Sequence, residues 1–270
     1  MFRFSALLLT STLALSGASL AHEMWVQSGH THGGEILKAD IGYGHNFTLK
    51  DIAPERVHFF REGMNLVGPA GTQKLVQRGE HNYHFETARP VAEGSYLVTA
   101  EYQPTFWSHD AAEVWAQKSL RDMPGAVYCE QTRMFGKNVL NVGHESADRE
   151  TVTRPLGQLL EIVPLENPAR VRPGETLPVQ VLYRGEPLVG ATLTASFAGF
   201  DKNYREMGHA AEAQAFSKQT DNEGKVDIIP LRQGFWKAKV IHKAPYPDQA
   251  ECQQLAAYAT LTFELGSGQH

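Results

Sequence analysis

Apolar and polar residues alternate with period two along short segments of this chain, and that alternation restricts it to sheet. In Leu177-Pro-Val-Gln-Val-Leu-Tyr183 and Trp236-Lys-Ala-Lys-Val-Ile241 every second residue is apolar. Successive side chains of a strand point to opposite faces, so this pattern predicts one greasy and one wet face, as in a half-buried antiparallel sheet. Similar segments rich in Val, Ile, Phe, Tyr and Thr are Arg56–Arg61, His81–Glu86, Gly94–Tyr102, Leu159–Val163, Thr192–Phe197, Lys225–Ile229, Phe235–Ile241 and Ala257–Leu265. Gly, Pro, Asn and Asp punctuate them. The expected class is all-β, built as two β-sandwich domains.

The C-terminal half is the cleaner case. Tyr183-Arg-Gly-Glu-Pro-Leu188 reads as a hairpin turn, and Thr220-Asp-Asn-Glu-Gly224 turns into Lys225–Ile229. Residues 156–265 are expected to form an immunoglobulin-like or transthyretin-like sandwich, and residues 22–155 a β-rich, metal-binding domain. The boundary falls in polar Glu145–Gly157, which carries Arg154-Pro155. One short helix is expected in the N-terminal half at Asp110–Asp122, where Ala111, Val114, Trp115 and Leu120 fall loosely at helical spacing behind a candidate N-cap, Asp110. The tail 266–270 is expected to be disordered.

Arg3, the apolar run Phe4–Leu15 and the small residues leading to Ala21 form a secretory signal pattern, expected at residues 1–21. The run falls short of the roughly 20 residues a membrane-spanning helix needs, so the mature chain is expected in the periplasm without a membrane span. Cleavage after Ala21 leaves His22 first; cleavage after Ala18 also fits the small-residue rule, and a less favoured cut after Ser19 would put His22 third. The net charge of −5 is mild and forms no basic patch for nucleic acid. The two cysteines, Cys129 and Cys252, either form one disulfide in an oxidising compartment or stay as thiols.

Histidine is the outlier, with twelve in 270 residues. As a first residue, His22 presents an α-amine and an imidazole that together chelate Ni(II), Co(II) or Cu(II). His30 and His32 are two apart, so in extended chain both rings reach the same side and could share Zn(II) or Ni(II). His45 sits in Gly42-Tyr43-Gly44-His45, where glycines let the backbone hold a side chain against something. His109 precedes Asp110, a candidate orienting carboxylate, and His242 ends a strong strand. Each has a bland alternative: a frayed terminus, an exposed loop, or a structural ring. His81 and His84, three apart in a strand, would face opposite ways. No catalytic motif is present: there is no Gly-x-Ser-x-Gly, His-Glu-x-x-His, phosphate loop or dinucleotide fingerprint, so no enzyme is expected.

Ala21-His-Glu-Met-Trp-Val26, Gly42-Tyr-Gly-His45, Tyr102-Gln-Pro-Thr-Phe-Trp107, Leu159–Leu165, Thr220–Gly224, Gly234-Phe-Trp236 and Ala259–Phe263, in this order, resemble the periplasmic component family of nickel and cobalt uptake systems (CbiK-like). The resemblance implies a periplasmic protein that supplies Ni(II) or Co(II) to an inner-membrane importer, with His22 and His45 matching the pattern and His242 less closely. His30, His32 and His109 belong to this sequence rather than to the pattern. Two other readings stay open: a copper-binding protein or copper redox enzyme using the same N-terminal chelate, and a β-sandwich binding or adhesion module that takes no metal.

Overall fold

The computed structural model describes residues 22–79, 84–143, 148–200 and 213–266. The expected signal at 1–21, most of the expected tail, His81 and His144 lie outside the described residues.

The first strands are β1 (Glu23–Ser28), β2 (Lys38–Gly44), β3 (Met64–Gly68), β4 (Gly71–Lys74), β5 (Val76–Arg78) and β6 (His84–Glu86). Then come β7 (Gly94–Asp110), β8 (Trp115–Ala116), β9 (Ala126–Val142), β10 (Leu160–Pro164) and β11 (Leu177–Tyr183). The chain continues with β12 (Glu186–Pro187), β13 (Thr192–Phe197), β14 (Phe216–Gln219), β15 (Lys225–Ile228), β16 (Gly234–Pro245) and β17 (Gln254–Leu265). A central sheet of nine strands runs β14-β13-β16-β17-β9-β7-β3-β4, with β8 beside β7. The order β1-β2-β6-β5 makes a second sheet; β11, paired with β10, β12 and β15, makes a third. The two halves of the sequence meet where β17 runs parallel to β9, from Gln254 opposite Glu130 to Phe263 opposite Val139.

Period two explains the layering. On β7, Tyr96, Val98, Ala100 and Tyr102 enter one core and Leu97 another. On β9, Met134 and Leu140 face the first, Phe135 and Val139 the second. On β17, Ala256 and Tyr258 face the first, while Ala257, Ala259, Leu261 and Phe263 face the second. Adjacent residues point oppositely, so the two cores lie on opposite faces of the central sheet. The second sheet covers the first core with Met24, Val26, Ile41 and Phe85; the third covers the other with Ile162, Val179, Val181 and Val226. The β-sandwich class expected from the alternation is present as two sandwiches sharing one sheet.

Contacts between layers are specific. β1 crosses β9 at Gly136, where an added Cβ would meet Val26 Cγ2 at 3.0 Å. The hydroxyls of Thr260 and Thr262 donate to the backbone carbonyls of Met24 (2.8 Å) and Val26 (2.5 Å). On the opposite face the buried Lys137 pairs with Glu161 at 2.5 Å, and Glu161 also accepts from the backbone N–H of Leu156 and Gly157. β16 departs from the half-wet expectation: Lys237, on its polar face, is only 4% exposed because β1 lies over it.

Two local expectations are corrected. Arg56–Arg61 is not a strand: Pro54–Phe60 forms a 3-10 turn that buries Phe59 and Phe60 together, whereas neighbours in a strand would diverge. Asp110–Asp122 is not a helix. The Asp110 carboxylate accepts from Ala112 and Val114 N–H, closing a turn that returns as β8. Val114 and Trp115 are exposed there, so the apparent helical spacing buries nothing. A short α-helix, α1, instead spans Arg149–Val152 with Asp148 as its N-cap.

Cys129 and Cys252 form a disulfide across a sequence separation of 123 residues, tying β9 to the β16–β17 turn. Replacing both by Ala should cost about 2–5 kcal/mol, read as a lower urea midpoint that reductant no longer shifts. Gly42→Ala would place a Cβ 2.0 Å from Trp25 Cε2. It is expected to cost about 1–3 kcal/mol in the same unfolding assay.

Candidate metal centre

The β1–β2 register pairs Glu23 with Gly44 and Trp25 with Gly42. That register brings His22, just before β1, beside His45, just after β2. Their ring centroids are 4.9 Å apart with planes tilted by 35°. A metal–imidazole bond is about 2 Å, so two rings on one ion have centroids within roughly 6 Å. The pair meets that limit.

The backbone at the hairpin end is specialised. Gly42 leaves room for the Trp25 indole, and Gly44 adopts φ +146, a region that disfavours L side chains. Asn46 follows at φ 62, the left-handed region that Asn tolerates. An aromatic wall backs the rings. Tyr43 stacks on His22 at 5.2 Å and on Tyr102 at 6.0 Å, and meets Phe60 edge-on at 5.3 Å. Burial, reinforced by Tyr102, raises the Tyr43 pKa well above the ordinary phenol value, and burial raises that of Tyr102. Both therefore remain neutral hydroxyls at neutral pH. The Glu23 carboxylate is also committed, bound by Lys237 and by Lys239 at 2.5 Å.

His30 and His32 also meet, edge to face with centroids 4.6 Å apart. The same-side placement expected from their spacing is therefore found. β1 has six residues, about 20 Å of strand, and separates this pair from His22 and His45. Among the described residues no three His, Cys, Asp or Glu side chains gather to hold one ion.

The remaining candidates lie elsewhere. His109 Nδ1 sits 2.8 Å from the backbone carbonyl of Asp110, and its ring packs on Trp115 and Tyr128. The Asp110 carboxylate closes a turn rather than orienting the ring. His242 packs on Tyr183 at 4.5 Å. It shares its side of β16 with Trp236, Ala238 and Val240, which belong to the second core, so it faces away from His22. Sequence reading missed Glu23, Trp25, Asn46 and Lys237 as neighbours of the pair. Glu23 and Asn46 were legible as the next residues after each histidine; Lys237 carried no such signal.

Fold and site together define a class: an all-β protein of layered sheets with paired histidines at a hairpin end. Residues 19–244 match the family described as a domain of unknown function, DUF4198, and the chain belongs to that family. No curated protein matches the chain. Among solved structures, the D00-D0 domain of Intimin aligns at 13% identity and TM-score 0.20, covering 89% of this chain and 98% of that one. Likeness at that score carries no argument about fold or role.

Burial lowers the His242 pKa from its ordinary 6.5, so packing favours the neutral ring. The unfolded chain takes up the proton first, so this contribution to stability is present above about pH 6.5 and falls below it. Urea unfolding at about pH 5 and about pH 7.5 should show a smaller acid-side loss for His242→Gln than for the parent.

Proposed function

We infer that this is a periplasmic metal-binding protein that captures Ni(II) or Co(II) at His22 and His45 and hands it to an inner-membrane importer. The observation that carries the reading is the approach of the two imidazoles, 4.9 Å between centroids, at the end of the β1–β2 hairpin. Cleavage after Ala21 adds the His22 α-amine, whose ordinary pKa near 8 lets an ion displace its proton at neutral pH. The donor set is then an amine and two imidazoles. Nitrogen donors without thiolates favour exchange over permanent closure, as a carrier requires. The neutral wall of Tyr43 and Tyr102 adds shape without charge. On this reading the role is capture and release, with no bond chemistry.

Copper is the second reading, and the donor set itself favours it. Three nitrogens bind Cu(II) above Ni(II) and Co(II) in the usual order of divalent ions. The metal available and the delivery partner would then decide which ion is carried.

Protein exported by the cell should be weighed to identify its first residue, then titrated with Ni(II), Co(II), Cu(II) and Zn(II). His22 is expected at the N-terminus, with one tight ion per chain. His22→Ala and His45→Ala should each weaken binding by at least tenfold, while a His30→Ala, His32→Ala double variant should not. Unchanged binding in both single variants would remove the site. No binding of any of the four ions would leave a β-sandwich interaction module as the better reading.

A further inference from the structure

The best-buried cation near the histidine pair comes from the far end of the chain. Lys237 on β16 reaches β1 and the turn after β2 at once. Its ammonium pairs with the Glu23 carboxylate and donates to the backbone carbonyl of Asn46 at 2.6 Å. It lies over the rings of Trp25 at 4.4 Å and Phe47 at 4.7 Å. Glu23 follows His22 and Asn46 follows His45, so one side chain holds the immediate neighbour of each histidine. Lys239, two residues along the same face, takes the second carboxylate oxygen of Glu23 at 2.5 Å.

The cost of this arrangement makes it informative. Lys237 is 4% exposed and Glu23 2% exposed. Burying an ion pair is expensive, and apolar residues of similar volume often serve stability as well or better. What an apolar residue cannot do is bind a carboxylate on one strand and a carbonyl in the neighbouring turn. Two cation–aromatic contacts fix the ammonium between them. Without it, the turn carrying His45 would keep its backbone pairing to β1 only as far as Gly44 opposite Glu23.

We propose that Lys237 is a positioning residue for His22 and His45, a clamp from β16 that sets the spacing of the two rings. The proposal rests on the metal reading above for its purpose, but the spacing is measurable without metal. Residues that hold metal ligands in place typically change affinity by roughly 10–100-fold when lost.

The test uses the full exported chain with isotope-labelled histidine. Lys237→Met keeps much of the side-chain volume and removes the charge. Lys243→Met is the comparator: it lies on the same face of β16 and removes an ion pair to Glu130 at 2.7 Å. In metal-free protein, ring-to-ring nuclear Overhauser contacts between His22 and His45 are expected in the parent and in Lys243→Met, and lost in Lys237→Met. With Ni(II), affinity should fall roughly 10–100-fold for Lys237→Met alone. The Cu(II) electron paramagnetic resonance spectrum should change in Lys237→Met and not in Lys243→Met. Should Lys237→Met not fold, Glu23→Gln releases the clamp from its other end and should weaken the same contacts. Parent-like ring contacts and metal response in the folded variant would overturn the proposal. Ring contacts that depend on Lys237, in a parent that binds no ion, would uphold the clamp and sink the metal function instead.

Discussion

Over most of their length the middle strands of the central sheet have little side left for solvent. β7, β9 and β17 send alternate residues into two different cores, so each strand must satisfy two packing surfaces at once. An unpaired buried polar group in those positions costs about 1–3 kcal/mol, and two neighbours on β9 are paired across the layers. On β9, Lys137 turns to one face and meets Glu161, while Asn138 turns to the other and donates to Thr262. The second sheet sits where it does because that face offers Gly136 for close approach and two threonine hydroxyls for its carbonyls.

This double duty accounts for what was legible. β11 has one core face and one partly open face, so its alternation was clear, and Leu177–Tyr183 is found as read. β13 emerged for the same reason with the bounds as read, and β15 one residue shorter. β17, buried on both faces, was found from its Tyr, Thr and Phe content and begins three residues earlier than read. β9 went unread although it is one of the longest strands. With cores on both sides its sequence alternates between two buried environments, and Lys137 and Asn138 disguise it as surface. Lys237 and Lys239 of β16 misled in the opposite sense: they looked wet, and both are bound by Glu23 of β1. Arg56–Arg61 failed because composition alone suggested a strand, while Pro54 and the joint burial of Phe59 and Phe60 impose a tight turn.

The histidine pair shows a similar division. His22 and His45 were singled out by the chelating chemistry of one and the glycines preceding the other. That they meet depends on the β1–β2 register, which places Trp25 over Gly42 and so fixes every other pairing in the hairpin. His242 could not be excluded by sequence, because its position on a strong strand says nothing about which face that strand shows to β1. Parity along β16 settles it: Lys237 and His242 are an odd number of residues apart and look opposite ways.

The distance in sequence between β1 and its partners has a consequence for how the molecule comes into being. β1 is among the first strands synthesised, yet the threonines that donate to its carbonyls, and the lysine beside Glu23, belong to β17 and β16 near the other end. Until those last strands arrive, the hairpin carrying both histidines has only its own pairing and a partial core. The framework of the histidine pair is therefore shared between the two ends of the sequence. A chain lacking its final strands would keep both histidines and lose the framework that makes them neighbours.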